Sequence, residues 1–558
     1  MIGTVEERLS ELRAEYPEYV PHTLWTRFRE NARRYGERTF LIYQDRPYSY
    51  EEILGQTEKM ARSLYALGVR AGNHVAVIMR NCPEYIALIF AIAKLGATKV
   101  SVNVKISSNE MAYMLKKAEV RYVISALPLK EDLLSAVSCV NTWITPDSWE
   151  AFQRMGENVS AQFVNAYCKQ HQNPDAKADI MFTSGSSSFP KGVILTHDMI
   201  LRSSFGTVWS RRMEFGRKVY VPIPLYHVFA YLEGLIPMVY VGGTIVLSKD
   251  HYDPFNAAAL MKKHRVNDIV CVSYIMMDIL LKVNPQPEDF EEMHAAYWAS
   301  SCPKWVWEAG RKGFGIMDVT TGYGMTECGS TTTVTRPEAP EDFVEWNNGR
   351  LKEAGPMGDP ENGGRLQQVR IVDPETRADS GMGKAGEIWC KGLTVTPGYY
   401  LSPAENQKAF TEDGWFLTGD LATVDADGNL TFAGRIGDAY KINGEMVSPA
   451  QIDHILGGCP EISSVEVVGI KDNKCGECGA AFIDAGVLSE DKERNIIRFC
   501  RENLASFEIP KYLIFSRKDY WPRTGSGKII KKSLCSIAQR LCDGNQGDAG
   551  GFIVKKIV

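Results

Sequence analysis

Short apolar runs alternate with longer amphipathic stretches through the first third of the chain. Val75 to Met79 predicts a strand, and Pro83 to Leu95 a helix whose first turn tolerates proline because that N–H has no helical partner anyway. Lys99 to Val102 predicts the next strand, a helix follows from Ser107, and Arg121 to Ser125 predicts another strand. Ser107 and Glu110 stand at capping-box spacing, in which each side chain satisfies an otherwise orphan backbone N–H. Strands separated by helices predict a mostly parallel sheet with helices on its faces.

The pattern then changes twice. Gly, Pro and polar residues crowd Thr335 to Gly364, which reads as loop-rich. From Gln367 to Phe432 short strands return, at Val369 to Val372, Glu387 to Cys390 and Leu430 to Phe432, with Asp427-Gly428 as a turn. A second break falls at Gly434 to Gly444. Beyond it a smaller α/β unit opens with Ser448, Pro449 and Gln451, again at capping spacing. A later helix, Glu490 to Leu504, places Ile496, Ile497, Cys500 and Leu504 on one face. The stretch from Asp543 to Gly551 is Gly-rich and reads as a mobile tail.

Composition narrows the class. The 558 residues are 44% hydrophobic and 23% charged, ordinary for a folded enzyme surface and core. Lys plus Arg (63) nearly balance Asp plus Glu (68), for a net charge of −5, so no polybasic nucleic-acid binder is indicated. The longest apolar stretch, Gly234 to Leu247, is interrupted by Pro237 and Gly242-Gly243 and falls short of the roughly 20 residues of a membrane span. No basic region followed by an apolar run marks a signal peptide at the N-terminus. Thirteen scattered cysteines, several inside apolar runs, read as reduced thiols of a cytoplasmic protein, and the lone Cys475-x-x-Cys478 lacks a second pair at zinc spacing.

The segment with the most chemistry is Thr183-Ser184-Gly185-Ser186-Ser187-Ser188-Phe189-Pro190-Lys191-Gly192. Its hydroxyls and backbone N–H groups suit phosphate oxygens, and Lys191 adds a point charge. It is not a Walker A loop, which needs Ser or Thr directly after the lysine. Alone, such a loop reads by default as a polar linker. Downstream, however, stand Gly322-Tyr323-Gly324-Met325-Thr326-Glu327, then Gly414-Trp415-Phe416-Leu417-Thr418-Gly419-Asp420, Gly434-Arg435-Ile436-Gly437-Asp438 and Pro522-Arg523-Thr524-Gly525-Ser526-Gly527-Lys528. In this order and at these distances the five resemble the ANL superfamily of adenylate-forming enzymes, from about Leu24 to Leu534.

That resemblance implies an α/β fold: a large N-terminal domain of α/β subdomains plus a β-rich subdomain, over residues 1–434, with a small mobile α+β C-terminal domain over 441–540. A hinge at 435–440 joins them, and 541–558 is a tail. It implies an acid–thiol ligase that uses ATP and Mg²⁺ to turn a carboxylic acid into acyl-AMP, then passes the acyl group to CoA. By resemblance, Thr183, Ser184, Gly185, Ser186, Ser187, Ser188 and Lys191 hold the departing phosphates. Tyr323, with Gly324, stacks on adenine, Thr326 bonds the α-phosphate, and Glu327 holds Mg²⁺. Asp420 accepts from the ribose hydroxyls and Arg435 reinforces it. Lys528 bridges carboxylate and α-phosphate during adenylation. After a rotation about Gly437, Lys441 and Gly444 approach the acceptor thiol. Bringing two anions together makes positioning and charge neutralisation the main catalytic tasks.

Several positions depart from the family pattern. Ser188 replaces a glycine, Val104 and Ser273 replace prolines, and Ser300-Ser301-Cys302-Pro303 stands where Gly-Gly-Ala-Pro is usual. Gly437 replaces an Asp or Lys. Pro224-Leu225-Tyr226-His227-Val228-Phe229-Ala230 matches the P-L-x-H segment, which puts His227 at the entrance between the ATP and acid sites. Phe229, Tyr231, Trp298 and Cys302 are candidates for an apolar acid pocket. An aminoacyl pocket would need an acidic partner for the ammonium, and after His227 only Glu233 is available, so a fatty or aryl acid is expected. The rival readings are an acyl-AMP ligase that loads the phosphopantetheine of a separate carrier protein, and a weakened nucleotide-binding homologue. The oligomeric state stays open, a homodimer among the alternatives.

Overall fold

A computed structural model describes residues 3–183, 190–248, 252–299, 304–337, 348–442, 445–472, 476–523, 529–543 and 551–557. Two mainly parallel sheets carry the chain as far as Thr320. The first runs Asp318–Thr320, Ala295–Ala299, Asp268–Val272, Lys218–Tyr220, Thr244–Leu247, Thr39–Tyr43 and Arg46–Ser49, and only its last pair is antiparallel. The second runs Thr142–Ile144, Tyr122–Ser125, His74–Ile78, Thr98–Ser101, Lys177–Thr183 and Lys191–Thr196, again with one antiparallel pair at the end. Strands buried on both faces need helical crossovers to cover them, and these strands are continuous apolar runs for that reason.

The local expectations hold within a residue or two. The helix Pro83–Lys94 begins on its proline, and Ser107 caps Ser108–Lys117 by accepting the Glu110 N–H. The reciprocal half of that capping box does not form, nor does it at Ser448, which accepts only the Gln451 N–H. In both helices the third residue's side chain is left for other contacts.

The β-rich region is one antiparallel sheet, Gln367–Val372, Gly386–Gly392, Phe416–Val424 and Leu430–Arg435. Its register sets Asp420 directly opposite Arg435. The main core joins the first sheet, its helices and this third sheet, from Trp25 and Phe28 through Tyr240 to Ile388 and Cys390. A smaller core fills the outer face of the second sheet around Val100, Leu115 and Val123.

The C-terminal unit is built on Gly476–Asp484, flanked by Ser464–Asp472, Tyr512–Phe515 and the short pair Tyr440–Ile442 and Glu445–Val447. Its two cores, one around Ile452, Ile496 and Cys500 and one around Phe482, Trp521 and Leu534, share no residue with the main core. The expected tail at 541–558 is corrected. The helix Lys531–Cys542 runs past 540, and Ile553–Lys556 forms an edge strand on Tyr512–Phe515. Phe552 packs beside Phe482, so the apolar residues after the glycines give the segment something to bury.

Candidate active site

Four chain segments converge on the nucleotide side. The Gly322–Glu327 segment leaves the edge strand Asp318–Thr320 of the first sheet. At Gly324 a Cβ would fall on the carbonyl of Ser330 and the Cα of Thr331, so only glycine permits the loop to fold back on itself there. Tyr323 is thereby buried, with Phe432 stacked on it at 5.8 Å and its hydroxyl donating to Asp420 Oδ2 at 2.8 Å. Arg435 Nε lies 3.0 Å from Asp420 Oδ1, an ion pair held by the strand register, yet Oδ1 accepts no hydrogen bond. Burial raises the Asp420 carboxyl above its ordinary range, and Arg435 and Tyr323 only partly offset this.

Glu327 is buried as well, and burial raises its carboxyl too. Its Oε1 accepts from the Tyr399 hydroxyl at 2.9 Å, and its carbonyl accepts the Thr396 N–H at 2.7 Å. The same Thr396–Tyr400 stretch bonds the strand Lys191–Thr196 through Ile194 and Gly192. It therefore ties the phosphate-loop strand to the Glu327 loop. Thr183 and Lys191 are direct partners across the hairpin, so the two ends of the hydroxyl-rich loop meet. Lys191 Nζ pairs with Glu405 at 2.5 Å and lies 5.0 Å from the Tyr399 ring centre. Thr326 is half-buried at the start of the same turn as Glu327.

Tyr399, Phe432 and Glu405 were not singled out by sequence reading. None carries a motif of its own: Phe432 reaches the site through strand pairing, Tyr399 through a bridge to Val193, and Glu405 from the helix Pro403–Ala409. Conversely Ser184 to Ser188, Cys302, Gly444 and Lys528 lie outside the described residues, and of Lys441 only the backbone, in Tyr440–Ile442, is described. Gly437 sits in a turn with ordinary negative φ, and a Cβ there would meet nothing within 4 Å. The backbone therefore does not require glycine at this position. On either side of this turn, Ser448 donates to the Ala433 carbonyl and the Ile436 N–H bonds the Gly419 carbonyl.

On the acid side His227 is exposed, its ring 4.7 Å from that of Tyr226, and Phe229 is half-buried against Tyr297 at 5.1 Å. Asn81 reaches across from the second sheet to the Ile223 carbonyl and Leu225 N–H, fixing the segment that carries His227. Two expectations are corrected. Trp298 is fully buried against Trp307 and Gly310, and its neighbour Tyr297 is the residue that meets Phe229. Successive residues of a strand point to opposite faces, and in a strand apolar on both faces the sequence does not say which side is which. Tyr231 is also fully buried, 5.1 Å from the ammonium of Lys99, which pairs with Asp179. Neither wall residue is open to a ligand.

Among the described residues no cluster of three or more His, Cys, Asp or Glu side chains is placed to hold a metal by itself. A lone carboxylate such as Glu327 fits Mg²⁺, which keeps its waters and is commonly held by one or two carboxylates together with phosphate oxygens. No described helix is long and apolar enough to cross a membrane.

The comparisons with known proteins agree with this geometry. The model of the AMP-binding enzyme family matches residues 28–400, and that of the AMP-binding enzyme C-terminal domain matches 451–528. YngI of Bacillus subtilis (strain 168), provisionally named an acyl-CoA synthetase, is 28% identical over 555 residues, covering 93% of this chain and 97% of its own. A crotonobetaine/carnitine–CoA ligase of Salmonella paratyphi B is 27% identical over 525 residues, covering 90% and 96%. Among solved structures, the anthranilate CoA ligase AuaEII in complex with anthranoyl-AMP superposes with a TM-score of 0.82 at 22% identity, covering 94% of this chain and 99% of its own. The chain belongs to the AMP-binding enzyme family of the ANL adenylate-forming superfamily.

Proposed function

We propose, for this member of the AMP-binding enzyme family, an ATP-dependent acid–thiol ligase that makes acyl-AMP and then acyl-CoA. A carboxylate oxygen attacks the α-phosphorus, the bond to the β-phosphate breaks, and pyrophosphate leaves. The CoA sulfur then attacks the acyl carbon and AMP leaves. The observation that carries this reading is Asp420, buried beside Tyr323 with an oxygen that accepts no hydrogen bond. A buried carboxylate oxygen that is ion-paired with Arg435 yet accepts no hydrogen bond suits a ribose hydroxyl.

The other roles combine the placement of the described residues with the resemblance, which alone assigns 184–188, Lys441, Gly444 and Lys528. Tyr323, backed by Phe432, is the adenine platform. Thr326 donates to the α-phosphate, and Lys191, with Thr183 and the hydroxyls of 184–188, faces the outgoing phosphates. Glu327 would hold Mg²⁺, which would supply charge neutralisation for the departing phosphates. Tyr399 orients the Glu327 carboxylate, and His227 lines the acid entrance. Lys528 meets the carboxylate and α-phosphate, while Lys441 and Gly444 serve the thiol step. The working units are 1–434, the hinge 435–440 and the small domain from 441. None of the described cysteines is in a disulfide, which favours a reducing compartment, and the cytoplasm is the proposed location.

The test is pyrophosphate release over a panel of carboxylic acids, with and without CoA. Acid-dependent pyrophosphate with acyl-CoA as product is expected. Adenylation without a CoA product would shift the acceptor to a carrier protein, and no pyrophosphate from any acid would overturn the reading. In the same assay Lys528→Ala is expected to lose adenylation while converting preformed acyl-AMP to thioester.

A further inference from the structure

A crevice at the edge of the second sheet is lined by none of the residues placed above on the nucleotide and acid sides. It follows from the order of the strands. His74–Ile78 pairs with Thr98–Ser101 on one flank and with Tyr122–Ser125 on the other, all parallel. The chain leaves His74–Ile78 toward the first of these, through the helix Pro83–Lys94. It leaves Tyr122–Ser125 the opposite way, toward Thr142–Ile144. Two adjacent parallel strands whose connections diverge open a crevice beyond their carboxyl ends, and open α/β sheets bind ligands at such points.

Here the crevice holds about 260 Å³. Met79 and Cys82, from the turn after His74–Ile78, line one side, and Ser125 and Ala126 line another. Pro146 and Trp149 close it from beyond Thr142–Ile144, and Glu84 adds a carboxylate from the first turn of the helix Pro83–Lys94. Ala126 and Pro146 are exposed, so the crevice opens to solvent beside them, whereas Met79 is buried. Asn81, between Met79 and Cys82, reaches the Ile223 carbonyl and the Leu225 N–H instead, so this turn stands between the crevice and the acid side.

Most of the lining is apolar, and its polar side chains are few. The Ser125 hydroxyl is spent on the backbone of Leu127 and Ile78. Burial and the negative charge of Glu84 push the Cys82 thiol up to about 12, which keeps it neutral. Glu84 itself pairs with no lysine, arginine or histidine among the described residues. It is therefore the one lining side chain with a charge to offer. Trp149, packed on Phe152 at 5.6 Å between ring centres, supplies an aromatic wall, and aromatic surface beside a carboxylate favours a cation. A cavity of about 150 Å³ takes benzene, so this one has room for a ring and a short polar arm.

We propose that the crevice is a second ligand site, for a compact aromatic amine whose ammonium meets Glu84 and whose ring lies against Trp149 and Met79. The site is separate from the acid-activating centre and does not rest on that reading.

Calorimetric titration of the whole protein with phenethylamine tests it, with phenylpropanoate as a ligand of similar shape and opposite charge. One saturable site is expected for the amine. Glu84→Gln is expected to weaken it by about tenfold or more, the scale of a hydrogen bond to a charged group. Ala126→Leu, which adds bulk at the exposed rim, is expected to abolish it. Thermal unfolding checks that each variant is folded, and either one decides if the other is not. Absence of saturable amine binding at millimolar concentration would overturn the proposal, as would unchanged binding in either folded variant. Phenylpropanoate binding that Ala126→Leu abolishes would overturn it too, because the crevice would then take an anion.

Discussion

Two buried aspartates show how the same side chain serves two ends. Asp268 lies in the middle of the first sheet with Arg211 at 2.8 Å on one oxygen and Arg217 at 3.0 Å on the other. Asp420 lies in the third sheet with one oxygen on Tyr323 and the other near a half-exposed Arg435 without a hydrogen bond. Burial raises both carboxyls. At Asp268 the two guanidiniums outweigh it and hold the group below its ordinary range; at Asp420 burial prevails. The saturated aspartate holds the sheet together, and the under-paired one keeps an oxygen without a hydrogen bond, as the ribose role proposed above requires. Glu327, its carboxyl likewise raised by burial, follows Asp420, and Glu233, bonded by buried Lys352, Thr207 and Thr331, is saturated in its partners as Asp268 is.

The comparison breaks most visibly at Asp268. Asp268→Ala strands two fully buried arginines, and an unfolding titration is expected to show a loss of about 3–5 kcal/mol. Because its carboxyl is held low, the stability it supplies is present above the ordinary aspartate range and is lost as the pH falls through the folded-state value. A variant of ordinary stability would mean that the two arginines find other partners.

Asp420→Asn is expected to behave in the opposite way. ATP affinity should fall by about tenfold or more, the scale of one or two hydrogen bonds to a charged group, while stability at neutral pH holds or rises. The sign follows from the raised carboxyl. Its folded form favours the proton, so ionisation costs stability as the pH rises through the folded-state value, and the amide removes that cost. Calorimetric ATP binding and thermal unfolding measure the two effects separately. A destabilised variant with unchanged ATP affinity would put Asp420 in the class of Asp268.

The smallest effect is expected from Tyr323→Phe. It removes the hydrogen bond that lowers the Asp420 carboxyl, so the acid limb of the pH profile for ATP binding should move to higher pH with little change in the plateau. No movement would mean that the bond does not reach the ligand-binding form.

Much of the nucleotide side was legible because its residues sit on loops with distinctive local chemistry. Gly324, Tyr323, Glu327, Asp420 and Arg435 occur in short motifs that are read together, by their order and spacing, rather than one by one. The strands and helices of the two parallel sheets were legible for a similar reason, since β-branched runs and helix caps act over a few residues. Tyr399, Phe432 and the Glu233–Lys352 pair were not legible. Their partners lie far along the chain, 119 residues apart in the case of Glu233 and Lys352. Trp298 was misplaced because a strand buried on both faces carries no record of which face is which.

The amino-acid sequence by itself determined the order of the elements and the family, and it offered the groups proposed to meet the nucleotide, because these depend on local propensity and on short motifs. Only the tertiary structure decided which acidic groups are spent and which remain open. Whether Asp268, Glu233, Asp420 and Glu327 hold the fold or await a ligand depends on strand register and on what is buried beside each one. Most of those distances arise between segments 51 to 119 residues apart, where no local pattern reports them.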